Sequence, residues 1–516
     1  GELDLAPEAS GLKKEKVHPY IKISSTLSYH ICRFSPILSV FFCYNQITMQ
    51  IDRNQKTNQT HFTYLLLSLT FLVASRLLPL LKAPLSTFGY DYGFYFYAAK
   101  QATSSRFYDL SAALWGGFNN PLFYVFNLLR LPPEFSLTLS YLTFTVLLGL
   151  SLYLLFANYD KRAGLFTVVL YSLSMVQMES YLMFLYKNAF ALPFMILGFR
   201  FLIEQKWRTF IISSAVIMLT HRTTAIIYLL TISLYFLWLL IKSKRYKLLI
   251  VLAVICAMMI TSGFYILNLK SHILNLTSHN NFYVRTGLFL PFDNPLKIVW
   301  PYLLLAIPGV VMFVKQKQDP LLICFTAICL LWLIFQLPFY RRLWIYFDLS
   351  LIIFAAYFLS SLPLMGRVKE GWLKSRYILT PMIIIFFLFL SYRTVNFTLA
   401  KLPLIHPSEV PEIKNFDHPP GMILAVSAND APWLLAYADG YRLGAPGLLE
   451  DPHTYQEWLD FWQGINQREF ISQYPRPLYF YQRAYRLPPS QLANCLKPLS
   501  QNFFEVDYQC LEKTSQ

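Results

Sequence analysis

Residues 207–240 read WRTFIISSAVIMLTHRTTAIIYLLTISLYFLWLL. Two apolar runs, Phe210–Thr220 and Thr223–Ile241, are separated by His221 and Arg222 alone. A bilayer core about 30 Å thick asks for roughly 20 apolar residues per helical crossing, so two crossings and a turn need about 40. The stretch offers 34. At least one helix must then be short, which places the His221–Arg222 turn below the outer surface, in a hydrated cavity where irregular backbone is tolerated. A turn that merely reaches the headgroups is the simpler alternative.

The rest of the chain supports a membrane reading. Of 516 residues, 55% are hydrophobic, 17% aromatic and only 14% charged, with a mean hydropathy of +0.41. That composition is polytopic. About eleven spans can be read: Phe62–Leu81, Leu137–Ala157, Leu165–Met178, Leu182–Ile203, Phe210–Thr220, Thr223–Ile241, Leu248–Leu267, Ile298–Val314, Leu321–Pro338, Leu343–Leu362 and Tyr377–Val395. The expected fold is an all-α multi-pass protein of about eleven transmembrane helices, with a long first external loop and a small C-terminal external α/β domain.

Lys and Arg collect in alternate loops: Lys161 and Arg162; Arg200, Lys206 and Arg208; Lys242, Lys244, Arg245 and Lys247; Lys315 and Lys317; Arg367, Lys369, Lys374 and Arg376. Basic loops stay cytoplasmic. The N-terminus is therefore expected inside the plasma membrane, and residues 82–136, the turns at Glu179 and His221, residues 268–297, Tyr340–Arg342 and the tail outside. The net charge of +16 is a topology signal, and no nucleic-acid partner is expected.

The domains read as residues 1–61, a cytoplasmic and partly disordered extension with Met49 as a candidate start; 62–396, the transmembrane domain; and 397–516, external and soluble. In the tail, Met422–Ser427 suggests a buried strand, and Ala431–Ala438 and Thr454–Trp462 suggest helices. Cys495 and Cys510 would sit in an oxidising compartment, bridged or as two thiols. No zinc or nucleotide-binding spacing occurs and no repeat is visible, so no cofactor is expected; a divalent metal has no support.

The chemistry lies in the polar interruptions. Asp91 falls in FGYDYGFYFYAAK (88–100), among aromatic residues that include Tyr90 and Tyr92. They suit either an interfacial belt or a sugar or lipid groove, and Asp91 either a helix cap or a catalytic base. Lys187 and Asn188 fall about five residues into the expected fourth span, roughly 8 Å deep at 1.5 Å per residue. Lys187 either snorkels or meets an anion. Arg341 and Arg342 open the tenth, and Asp348 returns seven residues later to the face of Arg341. An ion pair and a phosphate contact are both open readings. In ALWGGFNNPLFYV (113–125), Trp115, Asn119 and Asn120 are of types that stack on and hydrogen-bond sugars, or that mark a turn between amphipathic helices.

One topology puts Asp91, Lys187, His221, Arg222, Arg341 and Arg342 on one membrane face. A carboxylate and several cations in an outer cavity suit a base for an incoming hydroxyl and positive charge for a departing phosphate.

In its many spans, its acidic residue at the start of the first external loop and its external terminal domain, the chain resembles the GT-C class of membrane glycosyltransferases over roughly residues 60–516. It is most similar to the bacterial and archaeal dolichyl-phosphate-mannose-protein-mannosyltransferase-like members. The resemblance implies a polyprenyl-phosphate sugar donor, a glycan, lipid or protein acceptor, surrounding membrane lipids, inversion at the anomeric carbon and Asp91 as general base. LTHRTTA (219–225) and YRRLWIYFD (340–348) would bind the donor phosphate or shape its site, with Lys187, Arg222, Arg341 and Arg342 as phosphate contacts. Tyr90, Tyr92, Asn119, Asn120, Asn188, His221 and Asp348 would line the cavity. WWDYG is absent and no second acid adjoins Asp91, which speaks against metal-dependent transfer to asparagine; Asp109 and Glu134 are the other carboxylates considered in that loop. The alternatives are a transporter or flippase of an anionic lipid-linked substrate, an O-antigen ligase or polymerase type of enzyme, and a non-catalytic anchoring protein.

Overall fold

The computed structural model describes residues 55–104, 131–157, 160–242, 296–337, 339–362, 373–483 and 491–513. The expected span Leu248–Leu267 and the residues Asp109, Trp115, Asn119 and Asn120 lie outside them. The chain divides into two compact units, Gly1–Thr63 and Tyr64–Gln516, and the second carries all the elements after the start of the first helix.

The helices of the apolar part are α1 (Gln55–Leu77), α2 (Tyr92–Ser104), α3 (Pro133–Ala157), α4 (Lys161–Ser172), α5 (Met175–Leu182), α6 (Tyr186–Ile203), α7 (Trp207–Thr220), α8 (Arg222–Lys242), α9 (Leu296–Lys315), α10 (Leu321–Ile334), α11 (Leu343–Ser361) and α12 (Leu373–Ala400). The chain is a polytopic helical membrane protein, but the expectation of eleven spans is corrected. Among the described residues six helices are long and apolar enough to cross a membrane, and a bent pair makes a seventh if it is counted as one span. Three apolar helices, α7, α8 and α10, fall short in their apolar part. Hydropathy registers the apolar runs and not the places where the helix stops.

The bent pair shows how a break is held. Helices α4 and α5 meet at 55° across Leu173 and Ser174. The fully buried Arg76 donates to the last carbonyls of α4, Ser172 O at 3.2 Å and Tyr171 O at 3.1 Å. On the other side Ser174 caps α5 by accepting from Gln177 N at 3.1 Å. Asp348 accepts from Ser174 Oγ at 2.7 Å and Gln177 Nε2 at 2.9 Å. A cation at a helix C-terminus and an anion at the next N-terminus complement both helix dipoles. Asp348 is thus committed to the break, on α11, a helix buried along most of its length.

After α12 comes a six-stranded sheet in the order β3-β2-β1-β4-β6-β5. Its strands are β1 (Met422–Ala425), β2 (Arg442–Ala445), β3 (Leu448–Leu449), β4 (Leu478–Tyr481), β5 (Leu496–Pro498) and β6 (Phe503–Val506). The central β1 is parallel to β2 and β4, and the remaining pairs are antiparallel. Expected helices appear at Ala431–Tyr437 and Tyr455–Trp462, the latter with a Thr454–Glu457 capping box. Cys495 and Cys510 form a disulfide.

This sheet region and the first loop share one apolar cluster, built from Phe88, Tyr92, Tyr95, Phe184, Trp433 and Tyr437 among others. Helix α2 is the wedge between them. Tyr92 and Tyr95 pack on Phe184 and Tyr186, with ring centroids 4.8 and 5.2 Å apart, while Phe96 lies 5.4 Å from Tyr437. Polar ties join the same surfaces: Trp433 Nε1 donates to Ser86 O at 3.0 Å, Lys100 pairs with Asp439 at 2.9 Å, and Leu404 N donates to Thr87 O at 2.8 Å. The run around Asp91 is therefore mainly a packing surface, with Tyr97 its one exposed ring.

Two glycines allow that approach. A Cβ at Gly89 would overlap the Cβ of Phe184, and one at Gly93 would overlap the carbonyl of Pro432. Gly93→Val is therefore expected to lower stability by about 1–3 kcal/mol, the usual range for overpacking. Thermal unfolding of the detergent-solubilised protein reads this, together with faster proteolysis of the C-terminal sheet region. An unchanged unfolding midpoint would contradict the packing described.

Candidate active site

Asp91 stands one residue before α2, in the turn between Gly89 and that helix. Its carbonyl accepts from Tyr95 N at 3.3 Å, which begins the helix and fixes the residue's direction. Together with Tyr95, Leu185, Lys187, Asn188, His221, Arg342, Ile345 and Tyr346, its side chain lines a small cavity that is partly open to solvent. Four separate stretches of sequence meet there.

Lys187 and Asn188 lie in the first turn of α6. The helix begins at Tyr186, after a left-handed Phe184 with φ of 57°, so Lys187 is not five residues into a helix as expected. His221 is the turn residue between α7 and α8, and Arg342 ends a short 3-10 turn (Tyr340–Arg342) that leads into α11. Two helix N-termini thus contribute to the cavity beside two cations. That combination favours an anion.

The floor is a hydrogen-bond network. Tyr346 Oη donates to Asn188 Oδ1 at 2.8 Å, and Thr224 Oγ1 lies 3.1 Å from that oxygen and 2.6 Å from Tyr346 Oη. His221 Nδ1 is 2.7 Å from Thr224 Oγ1. α6, α8 and α11 are cross-linked through side chains that each supply more than one contact, which makes the floor rigid.

Burial pushes the Asp91 carboxyl above its ordinary range, while Arg342 and Lys187 pull it back. One carboxylate thus sits with two cations in a single cavity. Such a constellation can take a proton from a hydroxyl and stabilise negative charge nearby.

Other expected residues fall elsewhere. Tyr92 is buried against Phe184, and Tyr90 reaches Ala428 O at 3.3 Å, so neither is among the lining residues. Asp348 holds the α4–α5 break instead of the cavity wall, and Arg341 is also absent from the lining. Arg222 opens α8, but its side chain lies outside the described residues, as do Asn119 and Asn120. Tyr95 and Tyr346 also line the cavity, and Thr224 is hydrogen-bonded beneath it. In the sequence Tyr95 belongs to the aromatic run that suits a belt or a groove, while Thr224 and Tyr346 stand in LTHRTTA and YRRLWIYFD without a role of their own.

Among the described residues no three of His, Cys, Asp and Glu come together. The cavity itself offers one carboxylate and one imidazole, short of the three protein ligands usual for a catalytic zinc.

No protein-family model matches the sequence, and no curated protein matches it. Among solved structures, the crystal structure of the Archaeoglobus fulgidus oligosaccharyltransferase in complex with zinc and sulfate is similar over 81% of this chain and 68% of its own, with a TM-score of 0.52 and 13% identity. At that identity the likeness is one of fold. It agrees, at that level, with the GT-C resemblance of the sequence.

Proposed function

We propose that this chain is a membrane glycosyltransferase that moves a sugar from a polyprenyl-phosphate donor to an acceptor hydroxyl on the external face. The observation that carries the reading is Asp91 lining the same cavity as Lys187 and Arg342. The fold shared with an oligosaccharyltransferase supports it.

In the proposed reaction the Asp91 carboxylate takes the proton of the acceptor hydroxyl, whose oxygen attacks the anomeric carbon. The bond from that carbon to the donor phosphate breaks on the opposite side, and configuration inverts. Lys187 and Arg342 stabilise the charge on the leaving phosphate. Electrostatic stabilisation of this kind is worth most in a site shielded from water.

The test is sugar transfer by the purified protein in proteoliposomes, from radiolabelled polyprenyl-phosphate sugars, as a function of pH. A base works only when ionised, so transfer is present above the Asp91 pKa and is lost as pH falls through it. Because that pKa is raised, the acid limb of kcat/KM is expected above the ordinary carboxylate value of about 4. A rate that stays flat down to about pH 4 would exclude Asp91 as the base.

A further inference from the structure

We infer that His221 acts as a neutral hydrogen-bond donor to the phosphate of the lipid-linked donor, through Nε2, with its tautomer fixed by Thr224. The inference rests on the glycosyltransfer reading and gives His221 a role within it.

His221 occupies the position just before α8, where the first backbone N–H groups have no partner within the helix. The N–H of Thr224 donates to His221 Nδ1 at 3.3 Å. A backbone amide can only donate, so Nδ1 must present its lone pair. Thr224 Oγ1, 2.7 Å from the same nitrogen and 3.1 Å from Asn188 Oδ1, has one hydrogen to give to these two acceptors. Its oxygen is then free to accept from Tyr346, whose single hydrogen is shared between Thr224 Oγ1 at 2.6 Å and Asn188 Oδ1 at 2.8 Å. The other tautomer would set Nδ1–H against the Thr224 N–H and leave that helix donor without an acceptor. A neutral ring with Nδ1 as acceptor carries its proton on Nε2.

His221 lines the cavity beside Lys187 and Arg342. The Nε2–H is a donor that orients a phosphate oxygen without adding a third cation. The four residues form a hydrogen-bonded unit: Asn188 and Tyr346 hold Thr224, and Thr224 holds the imidazole.

Nitrogen NMR of protein labelled with nitrogen-15 histidine, in proteoliposomes, reads the tautomer directly, with His221→Asn identifying the resonance. The expected spectrum at neutral pH has a protonated Nε2 and an unprotonated Nδ1, and added polyprenyl phosphate moves the Nε2 signal alone. A protonated Nδ1, or an Nε2 signal unmoved by saturating polyprenyl phosphate, would overturn the inference. Neither readout needs turnover, so failure here is distinct from failure of the transfer assay. A kinetic arm separates donor from cap. Asparagine retains an oxygen for the Thr224 N–H, whereas glutamine returns an N–H near the place of Nε2. His221→Asn is expected to lower kcat about 100-fold, as for removal of one donor to a developing anion, and His221→Gln less than about tenfold. Equal losses in the two variants would also overturn it.

Discussion

Asp91→Asn is expected to lower sugar transfer by about 100- to 10,000-fold, the range a positioned general base supplies. Asparagine keeps the shape of the side chain, and the tie from Tyr95 N to the residue 91 carbonyl is backbone only, so the start of α2 should persist. What disappears is the ability to take a proton. The variant should insert into membranes and unfold at the wild-type temperature while its transfer rate collapses. Transfer within about tenfold of wild type would remove Asp91 from the mechanism, because a base contributes more than that.

The second large effect concerns the cations. Lys187→Met and Arg342→Met are each expected to lower kcat/KM by about 100- to 1,000-fold, by analogy with loss of one group that stabilises a transition-state anion. Both residues line the cavity and both act electrostatically on Asp91. If they stabilise charge that grows as the phosphate leaves, kcat falls with kcat/KM; if they only hold the ground-state donor, KM rises alone. The double variant should lose less than the product of the two, since the residues share one ligand. Steady-state kinetics with a polyprenyl-phosphate sugar settles the matter. Unchanged kinetics for Lys187→Met would remove its ammonium from the proposed mechanism.

The cavity was legible in the sequence for a physical reason. Polar residues among apolar runs are expensive in a membrane, so Asp91, Lys187, Asn188, His221 and Arg342 stand out as interruptions, and they line one cavity. The shortage of residues in 207–240 likewise pointed to at least one short helix, as found for α7 with its 14 residues. Tyr346 gave no such signal of its own, because an aromatic residue that offers a hydroxyl to a cavity looks like one that fills a core, whereas Tyr95 lies in the aromatic run that suited either a belt or a groove. Asp348 misled in the opposite direction. Its spacing from Arg341 suggested an ion pair, yet its partners Ser174 and Gln177 lie about 170 residues away in sequence, at a helix break that no Pro or Gly announces.

The span count failed for a related reason. Apolar runs such as Leu165–Met178 are continuous in hydropathy across Leu173 and Ser174, where the helix stops and turns by 55°. The docking of the C-terminal sheet region on α2 was equally hidden. It depends on Gly93 meeting Pro432 and on Trp433 reaching Ser86, contacts between segments more than 300 residues apart.

The central claim is that one cavity holds both the donor phosphate and the base. A structure of the protein with bound polyprenyl phosphate tests it most directly. The account predicts the phosphate in contact with Lys187 and Arg342, with Asp91 lining the space beside it. A phosphate bound elsewhere, touching neither cation, would contradict it.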